Sequence, residues 1–181
     1  MLYCKALAMA LAVGALTVLP GATLQYLSID DMIAKSTAIV RGRAGASSVS
    51  MDGPVGRGTI YTHYSIQVLE TLKGAASGSV DVAVPGGALR NLRQTFAGAP
   101  TLRPGSEYVF FLWTSRTGLT QIIGLSQGLF TIQSDPAGKI VASRAASGEP
   151  MIGPNGALMT DQPRSISLDE LRARIAKGGG K

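Results

Sequence analysis

Between Thr59 and Leu72 the chain alternates without a break: Ile60, Thr62, Tyr64, Ile66 and Val68 fall on one face, Tyr61, His63, Ser65 and Gln67 on the other. A period of two held over this length by β-branched and aromatic residues marks a strand buried on one side. It commits the chain to a sheet, and the neighbouring segments must pair with that strand or cover it. Lys73-Gly74 starts a turn, and Ser79 to Val84 follows as the hairpin partner. Pro85-Gly86-Gly87 ends that partner, because proline lacks a donor and glycine tolerates positive φ. Glu107 to Thr114 (EYVFFLWT) is apolar on both faces, which predicts a central strand covered by other elements.

The remaining pattern is of short strands between two helices. Ser28-Ile29-Asp30-Asp31 has the form of a capping box and opens a helix to about Lys35, with Leu27, Met32 and Ile33 turned inward. Thr37 to Arg43, Leu119 to Gly124, Gly128 to Gln133 and Lys139 to Arg144 read as strands, the last two joined by the turn Ser134-Asp135-Pro136-Ala137-Gly138. Gly45 to Gly58 reads as a Gly/Ser-rich loop and Ala88 to Gly105 as a long aperiodic one. Ala145 to Arg164 reads as an extended linker, before a second capping box at Ser167-Leu168-Asp169-Glu170 and a helix stopped by Gly178-Gly179-Gly180. The expected fold is all-β with two flanking helices, a small barrel or sandwich. A content of 23 glycines and 9 prolines in 181 residues agrees with such a turn-rich chain.

The first 22 residues are expected to serve export. Lys5 precedes an apolar run from Ala6 to Leu19, which Pro20-Gly21-Ala22 breaks. That run is too short for a stable span and has the three-part form of a secretory signal, with cleavage expected after Ala22 and an uncleaved anchor as the rival reading. Cys4 lies ahead of the apolar run, where a lipid-modified cysteine would follow it. Removal leaves a cysteine-free chain with 16 Lys plus Arg against 11 Asp plus Glu, a net charge of +5. The organisation is then a signal at 1–22, a β-domain at 23–145, a linker at 146–165 and a C-terminal helix at 166–178. Localisation is periplasmic or secreted, with no transmembrane span after signal cleavage.

Residues 27 to 133 resemble an uncharacterised family of exported bacterial proteins. The likeness lies in LSIDDMIAKSTAIVRGR, in the YT…I.V…LKG stretch from Tyr61 to Gly74, in Gly86-Gly87, in P.L.PG..Y..FL from Pro100 to Leu112, and in G..QG.F.I from Gly124 to Ile132. More distantly the order of elements is similar to netrin-like domains of OB type, including tissue inhibitors of metalloproteinases. That resemblance implies an OB/netrin-like barrel. Those inhibitors use an N-terminal cysteine to chelate the target's zinc; a mature chain beginning at Thr23 has none, so their mechanism does not carry over.

Catalytic signatures are sparse. A Ser-His-Asp arrangement would need His63, which sits mid-strand with no orienting acid or nucleophile turn beside it in sequence. One His and one Cys exclude a Cys/His zinc cage, and Asp30-Asp31 and Asp169-Glu170 are explained as helix caps. No catalytic residue, metal or cofactor is therefore assigned, and an enzyme is disfavoured. The expected activity is a non-catalytic binding or protein-interaction module. Its candidate binding residues are Arg90, Arg93, Phe96 and Arg103 of the long loop, which mix guanidinium forks with an aromatic ring, and Tyr61 and His63 on the strand face. The alternative is an anionic glycan or envelope-surface binder through the Arg90–Arg103 loop, with a hydrolase inhibitor or an enzyme less favoured. Phe110 and Trp113 are expected to be largely covered, leaving too few exposed aromatics for base stacking, and with the export signal this argues against nucleic acid.

Overall fold

In the computed structural model the described residues are 23–52 and 58–178. Residues 1–22, expected to serve export, Pro54 and Gly179-Gly180 lie outside them. In chain order the elements are β1 (Leu24–Gln25), α1 (Ile29–Lys35), β2 (Ala38–Asp52), β3 (Thr59–Lys73), β4 (Ser79–Pro85), β5 (Gly87–Leu89), β6 (Leu92–Gln94), β7 (Glu107–Thr114) and β8 (Thr120–Ile122). A 3-10 turn over Leu125–Gly128 follows, then β9 (Leu129–Ser134), β10 (Ile140–Arg144), β11 (Met151–Ile152), β12 (Leu158–Met159), β13 (Arg164–Ser167) and α2 (Leu168–Gly178).

The main sheet runs β13-β10-β9-β7-β2-β3-β4, with β8 also paired to β7. β4 curls round to lie alongside β8 but shares no strand pairing with it. The sheet does not close, so of the two expected architectures the chain adopts the sandwich and not the barrel.

β7 explains the layering. Its even residues Tyr108, Phe110 and Leu112 pack inside the curl with Val40, Tyr64, Ile66, Val82 and Val84. Its odd residues Val109 and Phe111 pack outward against Met32 and Ile33 of α1 and Leu168, Leu171 and Ile175 of α2. A strand apolar on both faces is satisfied by a core on each side. The α1 capping box forms as the sequence predicts: Ser28 Oγ accepts from the Asp31 N–H at 3.0 Å while Asp31 Oδ2 accepts from the Ser28 N–H at 3.0 Å. The bonds from Ser28 hold the Asp31 carboxyl below its ordinary value.

Three segments differ from the sequence-based expectation. The Gly/Ser-rich stretch after Arg43 is not a loop: β2 continues to Asp52, with irregular register between Ala44 and Ser47, because β3 offers an uninterrupted partner as far as Thr59. The aperiodic stretch after Ala88 begins with the β5–β6 hairpin, whose two-residue turn puts Arg90 at φ 56. The hairpin lies on the β2–β3 arm because Gly87, at φ 143, has no side chain: a Cβ there would come within 2.8 Å of Thr62 Oγ1.

The third is the segment expected as a linker. It carries β11, β12 and the start of β13, with Ile166 in β13 and not in the helix. Arg144 and Asp161 anchor it through a bidentate ion pair with side chains 4% and 0% exposed. Burial disfavours the Asp161 carboxylate, but hydrogen bonds from Arg144 and from the Ser147 N–H outweigh it and lower the pKa. α2 docks on the sheet through Leu168, Leu171 and Ile175, and Ser167 Oγ accepts from the Glu170 N–H at its start. None of the described helices is long and apolar enough to cross a membrane.

Candidate functional site

A concavity lies where the sheet fails to close. It is a groove of about 500 Å³ between the end of β4 (Ala83 to Pro85) and β8 with the turn after it (Gln121 to Leu125). Pro100 and Trp113 complete its walls, and Lys35 is the one charged residue among the described residues that line it. Trp113 is 45% exposed. The expectation that it would be covered fails because α1 and α2 cover the odd face of β7 over Val109 and Phe111, and α1 ends at Lys35.

A second groove of about 430 Å³ shares Val84, Pro85 and Pro100 with the first. It runs between Thr62 and Tyr64 of β3 and the strap from Arg93 to Phe96, and Phe96 is 42% exposed. Two exposed aromatic rings thus stand in adjoining grooves, a form suited to apolar anchors on a ligand.

The floor is held by a strained turn. Leu125 takes φ 58, a left-handed conformation that costs a bulky non-glycine residue about 1–3 kcal/mol. The Ser126 N–H donates to the Gly98 carbonyl at 3.0 Å, tying the turn to the strap that carries Phe96. The buried Gln127 accepts from the Leu27 N–H and donates to the Gln25 carbonyl, fixing the N-terminal segment beside it.

The sequence-derived binding residues separate into four places. Arg93 and Phe96 line the second groove. Arg90 sits on the hairpin turn, and Arg103 lies on the approach to β7, where its N–H donates to Tyr108 Oη. Neither Arg90 nor Arg103 lines the two grooves. Tyr61 and His63 stand on the outer face of β3, their rings edge to face at 6.4 Å.

On that outer face the fold assembles a group that sequence reading left scattered. His63 Nδ1 lies 2.7 Å from Asp81 Oδ2 on β4, and His63 Nε2 lies 2.9 Å from Ser50 Oγ on β2. Both partners are diagonal cross-strand neighbours, since Ser50 is opposite Tyr61 and Asp81 is opposite Ser65. A carboxylate that accepts a hydrogen bond from Nδ1–H selects the tautomer whose Nε2 can accept from the serine hydroxyl. The signal that could have found Asp81 was the hairpin register. Ser50 was hidden because its segment reads as loop.

Among the described residues no cluster of three or more His, Cys, Asp or Glu is placed to hold a metal ion. No protein-family model, no curated protein and no solved structure matches this chain.

Proposed function

We propose that the chain is an exported protein-interaction module whose groove takes an extended, apolar segment of a partner protein. The observation that carries this reading is Trp113, half exposed at the wall of an apolar groove left by the unclosed sheet. Aromatic side chains in such positions supply most of the binding energy at protein interfaces. Lys35 in one compartment and Arg93 in the other form no salt bridge among the described residues, so acidic residues flanking the apolar segment complement them. The resemblance to an exported bacterial family and, in order of elements only and without the closed barrel, that to netrin-like domains belong to this proposal, with residues 1–22 as its export signal.

The test is affinity capture from envelope and secreted extract with residues 23–181, at low and high salt. A partner retained in high salt by the wild type and lost with Trp113→Ala supports the reading. Trp113 is the only tryptophan, so partner binding also shifts its emission to the blue. Equal retention by Trp113→Ala overturns the proposal. Binding that vanishes at high salt and is weakened by Arg90→Ala or Arg103→Ala favours the anionic glycan or envelope surface instead.

A further inference from the structure

We infer that Ser50, His63 and Asp81 form a nucleophilic site that hydrolyses short acyl esters, on a face of the molecule separate from the groove. The orientation of the three groups is the first support. The base contacts the carboxylate through Nδ1 at 2.7 Å and the hydroxyl through Nε2 at 2.9 Å, the arrangement in which a histidine takes a serine proton while an acid holds its ring. The His63 side chain is 21% exposed, so the ring is held between strands yet open to a substrate.

The second support comes from the strand register. Acyl transfer needs a donor for the developing oxyanion, and the peptide N–H after the nucleophile is one such donor in other serine hydrolases. Ile60 donates its N–H to Gln94 Oε1 and accepts at its carbonyl from the Gly86 N–H, both at 2.7 Å, so both groups face away from β2. Met51 lies opposite Ile60, which makes this a non-hydrogen-bonded pair and turns the Met51 N–H away from β3. On that side β2 is paired with β7 only from Ala38 to Arg43. The Met51 N–H therefore points to an open strand edge, one peptide unit from Ser50, and has no acceptor among the described residues.

In the first half-reaction Ser50 Oγ bonds to the ester carbonyl carbon as its proton passes to His63 Nε2, and the carbonyl oxygen takes the electron pair towards the Met51 N–H. Collapse expels the alcohol, which leaves with the proton from Nε2. Water then adds to the acyl-Ser50 and gives a proton to Nε2. The acid departs as Ser50 Oγ recovers that proton, so the net change is ester plus water to acid plus alcohol. Asp81 is a positioning residue that acts through the ring. Ser50 lines neither groove, so a long acyl chain would gain no apolar burial beside it and the site favours a small acyl group.

The experiment uses the full chain with two probes, diisopropyl fluorophosphate and p-nitrophenyl acetate. The expected result is a phosphoryl adduct located by tandem mass spectrometry on Ser50, at least tenfold slower to form in His63→Ala. Ester hydrolysis falls at least tenfold in Ser50→Ala and His63→Ala and about tenfold in Asp81→Asn, with Asp81→Glu recovering part of the loss and Ser48→Ala unchanged. An adduct that is absent from Ser50, or that forms equally fast in His63→Ala, overturns the proposal. So does Ser50→Ala hydrolysing the ester at the wild-type rate, which would leave His63 acting alone.

Discussion

Asp161 and Asp81 are each held by a nitrogen partner on a neighbouring segment, in opposite surroundings. Asp161 meets Arg144 with both side chains almost free of solvent. Asp81 meets His63 with the Asp81 side chain 65% exposed. In the first case, removing one partner strands a charge in the interior. In the second, water replaces whatever is lost. Burial makes one pair a structural clamp for the C-terminal segment, and exposure leaves the other accessible to a reactant at little structural cost.

The sharpest way to break this contrast is to delete one partner of each pair. Asp161→Ala is expected to lower the unfolding free energy by about 3–5 kcal/mol, measured by urea denaturation, because Arg144 and the Ser147 N–H lose their acceptor. Replacing both members, as Arg144→Met with Asp161→Leu, should recover much of that loss, since no charge then remains buried. Gly87→Val comes next, at about 1–3 kcal/mol, because its positive φ and the closeness of Thr62 would strain any side chain. Glu107→Gln should cost about 1 kcal/mol at neutral pH, since Arg41 and Arg43 share that carboxylate. Asp81→Asn is expected to change stability by less than about 0.5 kcal/mol, as at an ordinary surface site. A loss comparable to that of Asp161→Ala would end the comparison.

Acid sharpens it further. The Glu107 carboxyl is lowered chiefly by its hydrogen bond from Arg41 and then by that from Arg43, and Asp161 is lowered against the cost of its burial. A carboxyl whose folded pKa is depressed stabilises the fold above its unfolded value, about 4, and loses that contribution as pH falls through the folded value. Denaturation midpoints should therefore hold from pH 7 to about 5 and fall below about 4, with a shallower fall in Glu107→Gln.

What could be read from the residues differs between these regions for a physical reason. The helices were legible because capping is local: Ser28 and Asp31 are three residues apart, as are Ser167 and Glu170. The β3–β4 hairpin was legible because its alternation and turn are local as well. The second half of β2 was not, since Gly45, Ala46, Ser47 and Ser48 have weak strand preference and owe their extended form to β3 alongside. The site on His63 depends on that extension. Were residues 45–52 a loop, as their composition suggests, Ser50 would not stand beside the ring.

Trp113 teaches the same lesson from the other side. Its strand was evident, and so was the need to cover both faces. Where the cover stops depends on the length and seating of α1, which no property of Glu107 to Thr114 encodes. By itself the sequence determined an all-β chain with two capped helices and a doubly apolar central strand, because periodicity and capping act over a few residues. Only the tertiary structure decided that the sheet stays open, that Trp113 lines the resulting groove, and that Ser50 and Asp81 meet His63. Each of these depends on which strands become neighbours and in what register, and cross-strand partners can lie anywhere along the chain.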